Sequence, residues 1–237
     1  MRQYQITSLL LAIDSRKGTL EENRIRAFPV MLGFLNLLFC GYMDHYLRND
    51  IDGYYLALLL FLESSMIVLI TIGKFTKSDA EIIAKTSVFP TTPFSRLLFV
   101  VFSFARNRAM AVLWLTTNLF FVVFYFRSPV VLSVAVVLFS ILTANLLLMT
   151  AVVSLKLTKS SQPMASFALI SVFAIIIVLV GSIVFRLTAF LASLPILSWA
   201  VTGILAAQRQ EVGTVLLRCC YMILTFIVLL FIGKRVA

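Results

Sequence analysis

The sequence predicts an all-α integral membrane protein with six transmembrane helices, an N-terminal interfacial helix and a re-entrant hairpin in the outer leaflet before the last span. Three observations carry this. The chain of 237 residues is 61% hydrophobic and only 13% charged, a balance that a soluble domain of this length does not show. Its apolar residues lie in solid runs of about 20, the length that crosses a bilayer as a helix, whereas barrel strands would show short alternating segments. Its cations gather in alternate connecting segments, as the positive-inside rule requires of a multi-pass protein.

The opening stretch, MRQYQITSLLLAIDSRKGTLEENRIR, has no long apolar core and no small-residue cleavage site, so no signal peptide is expected. Its ITSLLLAI run followed by mixed charges fits a helix on the cytoplasmic face, with cations near lipid headgroups. Spans follow at 27–43, 54–75, 109–126, 130–155, 164–185 and 215–232. The first is short for a bilayer about 30 Å thick, which calls for tilting into its neighbours or extension at either end.

Orientation follows from Lys and Arg. One set of segments holds Arg2, Arg16, Lys17, Arg24, Arg26, Lys74, Lys77, Lys85, Arg96, Arg106, Arg108, Lys156, Lys159, Lys234 and Arg235; the other holds Arg48, Arg127, Arg186, Arg209 and Arg218. The split of the chain's 20 cations is 15 against 5, which places both termini in the cytoplasm. The net charge of +10 is thereby explained by membrane topology and lipid contact, and no nucleic-acid partner is implied.

Residues 188–207, TAFLASLPILSWAVTGILAA, are apolar enough for a seventh span. Pro195 near the middle and the polar QRQE at the end argue instead for a hairpin, with Pro195 and Trp199 in a re-entrant segment over 187–211. No internal repeat and no Gly/Ser/Pro-rich linker divides the chain, so residues 1–237 form one membrane domain.

Reactive constellations are missing. His45 is the only histidine; with Asp44, Asp50 and Asp52 it forms a polar loop, which reads better as a connection than as a cation site. HExxH, GxSxG and paired intramembrane aspartates are absent, and so is GxxxxGK[ST], so no catalytic residue, metal or cofactor is expected in this chain. Cys40, Cys219 and Cys220 have no metal-ligand spacing and read as small apolar residues. Glu63, in LFLESSM, is the one carboxylate inside a span. Two readings stand for it: a substrate or proton site, or an interhelical hydrogen bond. Asn118 and Asn145 join Glu63 as candidate lining of a translocation path, while Asn36 and these two asparagines also suit helix–helix adhesion.

SDAEIIAKTSVFPTTPFSR, between the second and third spans, is a compact polar segment among apolar runs. Ser78 suits a helix cap, Asp79 and Glu81 suit a helix N-terminus, Ile82, Ile83 and Phe89 supply apolar knobs, and Pro90 and Pro93 end the helix and stiffen the exit. This segment, the interfacial start of the chain and LPILSWAVTGILAAQRQEVGTVLLRCC together resemble, in order and spacing, the membrane subunit of ABC-2-type (type V) transporters. The resemblance implies that residues 76–96 form a coupling helix seated in a separate P-loop ATPase subunit, with Asp79, Glu81, Ile82, Ile83, Phe89, Pro90, Pro93 and Arg96 at the contact. It further implies ATP and Mg in that partner, a homodimer or a pair of similar permeases, a bacterial cytoplasmic membrane, and export; a cavity of Phe and aliphatic residues would suit an amphipathic or lipid-linked substrate. Phe89 stands where leucine is commoner in the family. Pro93 is a second proline, and LLFVVFSF is longer than the family pattern, which leaves the start of the third span open. The alternative is a secondary transporter using Glu63, although such folds commonly show repeats and more spans.

Overall fold

The computed structural model describes residues 27–48, 53–74, 92–158 and 194–236. Segment 1–26, the coupling positions Asp79, Glu81, Ile82, Ile83, Phe89 and Pro90, the span at 164–185 and residues 187–193 lie outside them. The described residues form helices without a strand: α1 (Ala27–Leu47), α2 (Tyr54–Lys74), α3 (Pro93–Ala105), α4 (Arg108–Phe124), α5 (Pro129–Thr158), α6 (Pro195–Gln208) and α7 (Val212–Val236). Within α2, α5 and α7 are three apolar stretches long enough to cross a membrane, Tyr54–Thr71, Pro129–Lys156 and Val212–Arg235; the bent pair α3–α4 makes a fourth if counted as one span. The chain has the make-up of a multi-pass membrane protein.

Side-chain pairs fix the helix directions. Tyr46 and Tyr55 stack at 5.1 Å across the first hairpin, and Cys40 meets Glu63 further along it, so α1 and α2 are antiparallel. Gly33 abuts Val112, Asn36 bonds Thr116, and Arg48 lies 5.7 Å from the Phe124 ring centre; α1 and α4 are therefore parallel. Gly203 brings Leu138 level with Arg218, Asn145 reaches Met222, and Gly233 sits against Val152. These three levels run the same way along both helices, so α5 and α7 are parallel.

The bundle thus has two unlike ends. Lys74, Arg96, Arg106, Arg108, Lys156, Lys234 and Arg235 lie at one, with no Asp or Glu among the described residues there. Arg48, Arg127 and Arg209 lie at the other, together with Asp44 and Glu211. There Arg48 pairs with Asp44 at 2.9 Å, and that hydrogen bond raises the guanidinium above its ordinary range.

Two local structures add detail that the sequence left open. Pro93 opens a helix; the coupling helix it was expected to end lies outside the described residues. Thr92 caps α3 by accepting from the Ser95 N–H at 3.3 Å, and Pro93 occupies the first turn, where its missing N–H costs nothing. The LLFVVFSF run belongs to this separate helix, which buries Leu97, Phe99, Val100 and Phe104. The chain then turns by 64° at Arg106–Asn107, and the Asn107 side chain caps α4 by accepting from the Ala109 N–H at 3.0 Å. The expected third span therefore corresponds to α4, which ends at Phe124, two residues before the expected boundary.

The second structure is the end of the chain. Leu194, in an extended conformation, occupies the N-cap of α6 and Pro195 its first turn, so within the run 188–207 the helix begins at the proline. With 14 residues α6 is about 21 Å long, too short for a hydrocarbon core of about 30 Å. It ends in a Schellman turn: the Glu211 N–H donates to Ala206 O at 2.8 Å and the Gln210 N–H to Ala207 O at 3.2 Å. Gln210 takes φ 61°, a left-handed conformation usually given to glycine. Trp199 then meets Tyr221 at 5.5 Å and Gly203 meets Arg218, which makes α6 and α7 an antiparallel hairpin. A Cβ on Gly203 would stand 2.6 Å from Leu138 Cδ1, so glycine is what allows α6 this close to α5.

Candidate functional site: a buried polar cluster around Glu63

Apolar packing places one polar cluster at mid-depth. Leu56, Leu59, Leu60 and Ile67 bury one side of α2, and Glu63 lies on that side with only 2% of its surface exposed. It faces Asn36 and Cys40 of α1 and Thr117 of α4. The Asn36 amide donates to Thr116 Oγ1 at 2.9 Å and to Thr117 Oγ1 at 3.1 Å, tying α1 to α4. Cys40 Sγ lies 3.8 Å from Asn36 Oδ1 and 4.0 Å from Glu63 Oε1, bridging the two by weak contacts. Both threonine hydroxyls also donate within α4, Thr116 to Val112 O and Leu113 O and Thr117 to Leu113 O. Glu63 Oε2 has no hydrogen-bond partner among the described residues.

An ionised carboxylate at the centre of a membrane helix costs about 2.5–3.5 kcal/mol on insertion scales. Nothing in the cluster offsets that cost by charge, since no Lys or Arg of the described residues forms an ion pair with Glu63. The cluster is a compact set of oxygen, nitrogen and sulfur groups able to hold a proton. Among the described residues no three His, Cys, Asp or Glu side chains come together as a metal site.

The other sequence-derived candidates lie apart from this cluster in their hydrogen bonding. Asn118 donates to Trp114 O at 2.7 Å within α4. Asn145 donates to Ile141 O at 3.0 Å and across to Met222 O at 3.2 Å, joining α5 to α7. Each leaves its Oδ1 without a partner among the described residues. Pro195 and Trp199 both lie on α6. Pro93 is exposed and Arg96 half-buried on α3, at the basic end.

Sequence reasoning missed Thr116 and Thr117, whose signal was a pair of adjacent hydroxyls in the otherwise apolar LWLTTNLFF. It took Cys40 for a plain apolar residue. It read Asn36 as adhesive between helices, and the two bonds to α4 have that form. Comparison of the chain with protein-family models, with curated proteins and with solved structures gave no match.

Proposed function

We propose that this chain is the membrane subunit of an ATP-driven exporter of the ABC-2 type, working with a separate P-loop ATPase and with a second copy or a similar permease. The observation that carries this reading is the end of the chain: a helix too short to cross, folded back on the long last helix at the end poor in cations. That is the form the resemblance to ABC-2 subunits leads one to expect for the outer-leaflet hairpin. The parallel course of α5 and α7 supports six spans over seven. An odd number of crossings must separate two parallel spans, and 164–185 supplies one if α6 turns back without crossing. The gathering of cations at the ends of α2, α5 and α7 supports a cytoplasmic face there, hence both termini inside a bacterial cytoplasmic membrane. The amphipathic α3 on that face continues from the segment assigned to ATPase contact, so a push on residues 76–96 passes through Leu97 to Gly233 of α7 and Val152 of α5.

The chain has no phosphate loop of its own, so ATP and Mg belong to the partner. The apolar surface of its helices suits an amphipathic or lipid-linked substrate. A secondary transporter is the second reading, favoured by the unpartnered oxygen of Glu63. The deciding experiment is purification of the chain at its native level from its own membranes, with identification of what accompanies it. A P-loop ATPase in stoichiometric amount is expected. Absence of any nucleotide-binding protein, while known complexes survive the same detergent, overturns the proposal.

A further inference from the structure

We propose that Glu63 is a proton-binding site inside the membrane part of the protein, losing its proton when the seam between α2 and the α1–α4 pair opens and regaining it when the seam closes. This goes beyond the exporter reading and holds whichever energy source drives the chain.

The geometry has three parts. First, Glu63 lies in the middle of α2 and is 2% exposed, with Oε2 lacking any partner among the described residues. Second, the donors around it are already engaged. The Asn36 amide serves two threonine hydroxyls, those hydroxyls serve backbone carbonyls of their own helix, and Cys40 Sγ reaches Oε1 only at 4.0 Å. Third, among the described residues no cation faces it. On α1 the titratable groups are Cys40, and Tyr42, Asp44, His45 and Tyr46 toward the helix end, with Asp44 held by Arg48. On α4 there is Arg108 at the first residue; on α5 Lys156 in the last turn; on α6 none. On α2 itself Tyr54, Tyr55 and Lys74 lie at the two ends. A carboxylate here would face only the neutral side chains of Asn36, Cys40 and Thr117, with no countercharge among the described residues, so the closed seam holds the neutral acid.

The hydrogen bonds also say where the seam parts. Asn36 bonds α1 to α4 twice, and Gly33 lets the same two helices approach at Val112. Glu63 reaches that pair through the 4.0 Å thiol contact and through the facing side chains of Asn36 and Thr117. Separation therefore falls between α2 and the α1–α4 pair. Water entering there accepts the proton as the O–H bond breaks, leaving a solvated carboxylate; closure expels the water and returns a proton from solvent to the same oxygen.

The test uses dicyclohexylcarbodiimide on the full-length protein in native membranes, from pH 5 to pH 9, with the modified residue located by mass spectrometry. The reagent partitions into apolar regions and adds to a protonated carboxyl, forming a stable N-acylurea. Label is expected on Glu63 at the acid end. It should fall at least tenfold toward the alkaline end, return on re-acidification before the reagent is added, and be unaffected by sodium, lithium or potassium. Glu63→Gln should lose the label with an unchanged melting temperature. Labelling that is the same at every pH would make the proton a fixed structural one and overturn the proposal. So would no label at any pH in a chain that labels once unfolded in SDS. Suppression by one of the cations at constant pH would mean a metal-cation site in place of a proton site. None of these outcomes depends on an ATPase, so failure here is distinguishable from failure of the exporter reading.

Discussion

Asn36 is the residue whose removal most sharply tests the packing of the polar cluster. Its amide makes two bonds to α4, at 2.9 and 3.1 Å. Asn36→Ala deletes both, yet Thr116 and Thr117 keep their backbone acceptors, so no donor is stranded on α4. Interhelical hydrogen bonds in membranes average about 0.6 kcal/mol and reach about 1.7, so two of them give roughly 1.2 kcal/mol. The truncated side chain adds lost packing, and the total should fall at about 1.5–2.5 kcal/mol, within the usual range for a disruptive point change. Thr117→Val keeps the shape and removes the acceptor, so the double-mutant cycle of the two changes isolates one bond, with a coupling of about 0.6 kcal/mol. The assay is reversible unfolding in mixed SDS–detergent micelles, followed by helix signal. A coupling below about 0.2 kcal/mol, with both single variants folded, would refute the α1–α4 contact at this level.

Further outcomes follow from the last hairpin. Gln210→Gly relieves a left-handed non-glycine residue worth about 1–2 kcal/mol, less about 0.5–1 for glycine's freedom in the unfolded chain. The melting temperature should therefore rise, and a fall would contradict the turn. Gly203→Ala should cost about 1–3 kcal/mol by overpacking against Leu138, with partial recovery in Gly203→Ala/Leu138→Ala; a neutral single change would show that α6 does not pack this closely. In a variant without Cys40, Cys219 and Cys220, a cysteine at 210 should react with an impermeant reagent from outside and one at 156 only from the cytoplasm. The reverse pattern would invert the topology.

Much of this fold was legible because membrane helices announce themselves by length and hydropathy. The charge split that assigned the two sides also separates Lys74, Lys156 and Lys234 from Arg48, Arg127 and Arg209 at opposite ends of the bundle. What hydropathy could not show was how apolar runs are cut. Prolines 93 and 195 each open a helix, since a proline at the first turn gives up no bond. The start of the expected third span, open in the sequence, is preceded by a 64° bend at Arg106–Asn107. The site was half legible. Glu63 stood out as the lone intramembrane acid, but its partners come from two other helices, and only tertiary packing brings Asn36, Cys40, Thr116 and Thr117 around it. Asn145 looked equivalent in sequence and lies instead on the α5–α7 seam.

The claim that this chain is driven by an ATPase docked on residues 76–96 is tested most directly by measuring how tightly that ATPase binds wild-type protein, Glu81→Lys and Phe89→Ala, with the melting temperature of each recorded alongside. Loss of a large apolar anchor at a docking site commonly costs about 2 kcal/mol or more, whereas a surface change in a plain loop stays within about 0.5 kcal/mol. The account predicts binding weakened roughly 30-fold or more in Phe89→Ala, from 1.4 kcal/mol per tenfold, and clearly weakened in Glu81→Lys, at unchanged melting. Wild-type affinity and full transport in both variants would contradict it.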